Sequence, residues 1–586
     1  MKQILLVICL AALLASCGGR DDGKAPQVTP ADLVLRGGVV TTVDPGLGVA
    51  EALAVTGHTI TAVGSDAEIA AYIGPDTEVI ELSGRYAGPG FIESHAHLFS
   101  LGQAKRILDL NHVSNWDEVV HMVAVAADKA RPGEWILGRG WHQDKWDSVP
   151  EDAVDGVPRN DSLNAASPDN PVELGHASGH ASFVNDAALA EAGIDDDTPD
   201  PPGGTIVRTA EGRATGYLRE TAQRIVDRSI LGYEAQMTPA EAEAVEREKV
   251  ALASGEALRH GVTSFHGAGE STIPSFKVLD FLKKLEDEGS LTVRLNMMVR
   301  TQTPEELDQL LPYYTWHAEG NDFLTVRSIK KQIDGALGAH GAWTLEPYED
   351  KPDTSGLVLD TVDEIERTAE VAVKHGFQVN THAIGDRANR EVLDIYERVW
   401  EKAGVDGSKL RWRIEHAQHI DPADVPRFGE MGVIAAMQGV HATSDGPWIP
   451  DRLGDARAGA TSYPWRDLID SGAVLANGTD APVESIDAIA SFYSSVSKMT
   501  IEGERFHPEQ AMTREEALQS YTINAAYAAF EEDIKGTLTP GKYADIVVLS
   551  QDILTIPEED IPGTLVDLTI VGGEIKYERQ ATGGNN

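Results

Sequence analysis

Between Pro89 and about Phe530, eight short strand-like runs alternate with stretches of helical spacing, an alternation that few folds can accommodate. The runs cluster around Phe91 to His97, Thr263 to His266, Leu295 to Val299, Ile329 to Asp334, Gln378 to His382, Trp412 to His416, Val433 to Gln438 and Val474 to Asp480. Segments such as Thr238 to His260 and Val362 to His375, rich in Ala, Glu and Leu, supply the intervening helices. The expected fold class is therefore α/β, with the eight strands closing into a (β/α)8 TIM barrel over about residues 89–530. A long stretch, about 104–233, separates the first run from the second and is expected to form a lobe inserted over the barrel mouth.

The chain ends have a different texture. Residues 31–88 alternate short β-rich runs with Gly-containing turns, and the same pattern returns over 531–580. Both ends are expected to fold together as one small composite β-sandwich domain. At the extreme N-terminus, an apolar run from Ile4 to Ala15 follows Met1-Lys2 and is too short to remain as a membrane span, so residues 1–16 read as a signal peptide. Leu14-Ala15-Ser16-Cys17 resembles the lipobox of bacterial lipoproteins. That resemblance implies lipidation of Cys17, with residues 17–30 as a flexible tether and a periplasm-facing anchor in the cell envelope. Gly18 after the Cys favours the outer membrane over the inner one; a plain secretory signal with an incidental Cys is the alternative. Once Cys9 is removed with the signal, no internal disulfide can form.

A formal charge of −44 excludes nucleic acid as a partner and leaves the lipid anchor as the only expected membrane contact. The acidic surface serves solubility or, alternatively, selects cationic substrates. A homodimer is left open.

The ionisable residues are unevenly placed. His95, His97, Lys330, His382, His416 and Asp480 fall at the ends of five of the eight runs, and in a parallel barrel those ends converge on one mouth. His95 and His97 are two apart on a strand, so both imidazoles point the same way and can grip one ion. Taken singly, each histidine could equally be a satisfied core residue, and Asp480 a turn carboxylate before Pro482. In Ile329-Lys330-Lys331-Gln332-Ile333-Asp334-Gly335, alternation puts Lys330 on one face with Gln332 and Asp334, and Lys331 on the other.

Pro89-Gly90-Phe91-Ile92-Glu93-Ser94-His95-Ala96-His97 closely resembles the opening signature of the amidohydrolase superfamily, with Glu93 where Asp is more frequent. Asn380 to Asp386, Ile414 to Ala417, Asn477 to Val483 and Gly536 to Asp545 resemble the later signatures of its YtcJ-like branch, which includes N-substituted formamide deformylases. The resemblance implies two divalent metal ions, zinc being suited to imidazole although iron, manganese or nickel fit as well. One ion would be held by His95 and His97 and the other by His382 and His416. Lys330 would bridge them as an N6-carboxylysine, a CO2-derived carbamate, the alternative being an unmodified lysine in a mononuclear site. Asp480 would bind metal and act as the general base. The implied activity is hydrolysis of a C–N bond in a small amide, N-substituted formamide or cyclic amide by metal-activated water. An ester, a urea or a ring deamination would use the same site, and a non-catalytic envelope ligand-binding lipoprotein is the rival of another class. His142, His180, Asp334, His340 and Asp386 are the substrate-binding candidates. Trp141 and Trp146 either line an acyl or aryl pocket or pack the lobe, and Met297 and Met298 read as core.

Overall fold

The computed structural model describes residues 28–580 apart from 144–145, 149, 151–152, 155, 178–179, 270–274, 301 and 317–321. The signal segment and Cys17 lie outside the described residues. Eight parallel strands form one sheet: β1 (Phe91–Ala96), β2 (Val262–Gly267), β3 (Arg294–Val299), β4 (Leu324–Gln332), β5 (Gln378–Ala383), β6 (Arg413–His416), β7 (Ile434–Gln438) and β8 (Leu475–Gly478). They are paired in sequence order, β1 to β8. Just beyond the strand ends, Asp480 N–H donates to His95 O at 2.8 Å and His97 N–H to Ala481 O at 2.8 Å, which brings β8 back to β1 as in a TIM barrel. Each of the eight runs expected from the sequence falls in one of these strands. The largest departure is β4, which begins five residues before Ile329 because Leu324, Thr325 and Val326 continue its buried pattern.

Amphipathic helices surround the sheet for identifiable local reasons. The helix Pro239–Arg259 opens on a capping box, Thr238 with Glu241, and carries Pro at its start. The helix Val362–His375 ends at Gly376 in the left-handed conformation, φ 73°. Its buried face, Ile365, Thr368, Ala369 and Ala372, follows helical spacing.

Residues from both chain ends share one six-stranded sheet, in which Ile546–Leu549 pairs antiparallel with Tyr86–Pro89. A four-stranded sheet, with Leu33–Arg36 between Ala52–Thr56 and Glu78–Glu81, packs on it through Leu35, Leu53, Val55, Ile546, Val548 and Ile570. A buried Arg294–Asp545 ion pair, 2.8 Å, ties this unit to β3. The segment after β1 builds its own six-stranded sheet, from Leu108–Asp109 to Ala214–Glu220. Its core holds Trp116, Trp141, Trp146, Phe183 and Tyr217. Trp141 Nε1 donates to Leu174 O at 2.8 Å and its ring lies 4.5 Å from that of Phe183, so Trp141 and Trp146 pack the lobe. Met297 and Met298 are buried core residues of β3.

Candidate metal centre

The side chains of His95, His97, Lys330, His382, His416 and Asp480 meet at the C-terminal ends of the strands. His95 Nε2 lies 3.1 Å from Lys330 Nζ and 3.7 Å from Asp480 Oδ1. Asp480 Oδ1 also lies 3.3 Å from His97 Nε2. The His416 ring is 4.7 Å from that of His95 and 4.4 Å from that of His382. Lys331 points the other way, donating to Glu364 Oε1 at 2.6 Å on the surrounding helix, as strand alternation requires.

Backbone geometry explains how neighbouring residues reach one centre. Arg413 and Glu415 lie two apart on β6 and both face the barrel interior. His416 would face outward, but its φ of 75° turns the side chain into the mouth. Asp480 has φ 59°, two residues past the end of β8. Non-glycine residues in this region are costly and cluster where function needs them.

A surrounding shell fixes the imidazole tautomers. His97 Nδ1 donates to Gly269 O at 3.0 Å, and His416 Nδ1 to Gln438 Oε1 at 2.8 Å. His95 Nδ1 donates to Glu415 Oε2 in a short contact. Each arrangement leaves Nε2 with its lone pair, the state a metal ligand needs. Ligand atoms of His95, His416 and Asp480 all lie within 4.8 Å of one another, a spacing one ion can span. Among the described residues Asp480 Oδ1 and His382 Nε2 are buried with no hydrogen bond of normal geometry, as suits metal-ligand atoms. The donor set of imidazoles and a carboxylate fits a divalent transition metal.

The electrostatics agree with neutral imidazoles. Burial, reinforced by the Lys330 charge, lowers His95 to about 4. His416 is held well below its usual value by burial and by the neighbouring His382 and His95. Burial alone would raise Asp480, but His97, His416 and His95 hold its carboxyl well below the ordinary range. Burial brings Lys330 down to about 7. Glu415 stays ionised, at about 2, because Arg413 and His95 outweigh its burial. Burial pushes Glu93 up to about 7. Its carboxylate accepts from His95 N–H and Thr479 N–H, each 3.0 Å, and from Thr479 Oγ1 at 2.8 Å, joining β1 to the end of β8.

The remaining candidates are distributed elsewhere. Asp334 is fully buried and accepts from the backbone N–H groups of Ile384, Gly385 and Trp343 at 3.0, 2.9 and 2.8 Å. It also lies 3.4 Å from His382 Nε2, so it anchors the loops around that histidine. Asp386 accepts from Leu345 N–H at 2.8 Å and starts the helix Asp386–Ala403. His340 pairs with Asp350 at 3.0 Å in the loop after β4. His142 and His180 belong to the lobe, His142 with its ring 4.5 Å from that of His176 and His180 beside Glu220 at 3.1 Å. Sequence reasoning missed Glu415, Gln438 and Arg413; Arg413 and Glu415 share β6 with His416, and Gln438 is the polar residue that ends β7.

A barrel closed in this way over a buried histidine and aspartate cluster forms a candidate metal-binding centre. The chain belongs to the amidohydrolase family, whose profile, described as "Amidohydrolase family", matches residues 78–577. It is 34% identical over 570 residues to Protein LONG AFTER FAR-RED 3 of Arabidopsis thaliana, covering 94% of this chain and 92% of that one. It is 29% identical to the putative amidohydrolase YtcJ of Bacillus subtilis (strain 168), over 87% of this chain and 92% of the other. With the N-substituted formamide deformylase of Arthrobacter pascens it shares 26% identity, over 94% and 98%. The crystal structure of an uncharacterized metal-dependent hydrolase from Pyrococcus furiosus matches with a TM-score of 0.68 and 29% identity, covering 89% of this chain and all of the other.

Proposed function

We propose that this chain is a metal-dependent amidohydrolase that cleaves the C–N bond of a small amide, an N-substituted formamide or a cyclic amide. The observation that carries the proposal is the shared orientation of His95, His97 and His416, each donating through Nδ1 and each leaving Nε2 for a cation beside Asp480. Kinship with a protein named N-substituted formamide deformylase supports the bond class. A bound divalent ion, zinc by ligand preference, would polarise the scissile carbonyl and bring the pKa of water near neutrality. Asp480 Oδ1, buried and 3.3 Å from His97 Nε2, accepts the proton of the attacking water and passes it to the departing amine nitrogen.

Lys330 suits carboxylation on geometry. Its Nζ is enclosed 3.1 Å from His95 Nε2, where an ammonium would repel the cation and an anionic carbamate would attract a pair of ions. The neutral amine attacks the carbon of CO2, the N–C bond forms and the displaced proton leaves to solvent. Uptake of isotopically labelled bicarbonate, seen as a carbamate carbon that Lys330→Ala lacks, tests this step. We also propose that Cys17 carries the lipid and holds the enzyme at the cell envelope, which metabolic labelling with a fatty acid would test.

The function is tested by screening N-substituted formamides, N-acyl amines, esters and ureas with protein purified without chelator. The expected outcome is amine release that falls by about 10²–10⁴-fold in Asp480→Asn. Turnover of esters alone would remove the C–N assignment. Ligand retention without any turnover would favour an envelope binding protein.

A further inference from the structure

The imidazoles at the barrel mouth extend beyond the six groups described. His441 lies on the helix Gly439–Asp445 that follows β7, with its ring nearly parallel to that of His416, 6.2 Å away and 13° apart. It is 6% exposed. Its Nδ1 lies 3.1 Å from the side-chain amide nitrogen of Gln418, two residues beyond His416. An amide N–H can only donate, so Nδ1 accepts and the ring proton resides on Nε2. That Nε2 is buried and has no hydrogen-bond partner among the described residues.

His441 is thus the inverse of its neighbours. His95, His97 and His416 donate through Nδ1 to an oxygen and keep a lone pair on Nε2, which suits a cation. His441 accepts through Nδ1 and offers an N–H, which cannot ligate a metal but can bind an oxygen. A buried donor without an acceptor destabilises the folded chain unless an acceptor arrives. The ring lies one imidazole layer from the proposed ligand His416, at the end of the barrel where the metal-ligand candidates meet.

Resting on the hydrolytic function proposed above, we infer that His441 Nε2–H is a substrate-facing donor that binds the carbonyl oxygen of the scissile amide. The same hydrogen bond strengthens as water attacks and negative charge develops on that oxygen, so the group acts on the transition state more than on the bound substrate. No proton is transferred; the N–H remains on His441 throughout.

Three variants test this assignment. His441→Phe keeps a flat ring and removes the donor, His441→Ala removes it without the risk of overpacking, and His441→Gln returns an N–H of similar reach. Each is measured for metal per chain, denaturant stability, and kcat and KM on the formamide that the unsubstituted protein turns over best. The expected result is unchanged metal content, a kcat lower by about 10²–10³-fold in the Phe and Ala variants with KM little altered, and at least partial recovery in the Gln variant. A folded Phe or Ala variant with undiminished kcat would overturn the assignment. So would loss of metal from either, which would make His441 a ligand. Failure of the unsubstituted protein on the whole panel would instead strike the proposed function, and this role with it.

Discussion

Replacing Glu415 by Gln probes the least visible part of the metal centre. Glu415 is fully buried, accepts from Arg413 Nη2 at 2.9 Å and receives His95 Nδ1–H in a short contact. A glutamine amide fits the space, but Arg413 Nη2 and His95 Nδ1 both meet Oε2 while Arg413 Nε lies 2.7 Å from Oε1, and one amide oxygen cannot stand in for both carboxylate oxygens. With the amide oxygen at the Oε2 position Arg413 Nε faces an N–H; with it at the Oε1 position Arg413 Nη2 and His95 do. Arg413, itself 1% exposed, would retain Ser94 O at 2.7 Å but lose its counter-charge. Breaking a buried pair from one side costs about 3–5 kcal/mol, and the surviving bond to Ser94 O places this case near about 3 kcal/mol. If His95 turns to the other tautomer, its Nε2 carries a proton and cannot ligate. Losing such a supporting carboxylate lowers metal affinity by about 10–100-fold. Chelator competition reads the affinity and denaturant titration of metal-free protein reads the stability. A Glu415→Gln protein with both values unchanged would refute the view that Glu415 orients His95 and neutralises Arg413.

Two further perturbations have worked outcomes. A Cβ added at Gly478 would lie 2.2 Å from Glu93 Oε1 and 2.9 Å from His95 N, so Gly478→Ala should separate β8 from β1. A stability loss of about 1–3 kcal/mol and weaker metal binding are expected, and a neutral Ala variant in denaturant titration would contradict the packed seam. His260 caps the helix Pro239–Arg259 between Asp487 at 3.7 Å and Glu256 at 3.6 Å. Burial opposes its charge, but the two carboxylates outweigh burial and push it up to about 9. A raised folded pKa stabilises fully below the unfolded value near 6.5 and loses that contribution as pH rises through about 9. At 24% side-chain exposure the contribution is about 2 kcal/mol. Unsubstituted protein should therefore lose stability between pH 7 and pH 10 relative to His260→Gln in a pH series, and parallel curves would contradict the assignment.

The barrel was legible because its strands carry short apolar runs and its functional residues sit at their ends, where parallel topology gathers them. Lys330 and Lys331 were separable by alternation alone. Glu415 was not, because it adjoins His416, and two adjacent strand residues should face opposite sides; only the positive φ at His416 brings both to the centre. Asp334 looked like a substrate group because it follows β4, yet its oxygens hold the backbone of Ile384, Gly385 and Trp343, a long-range arrangement without a sequence period. The lobe was visible as an interruption, but its sheet mixes parallel and antiparallel pairs whose order local patterns do not specify.

The most direct test of a metal-dependent centre at His95, His97, Lys330, His382, His416 and Asp480 is elemental analysis of protein purified without chelator. About two transition-metal equivalents per chain are predicted, falling in His382→Ala. No bound metal, even after reconstitution with zinc and bicarbonate, would contradict the account.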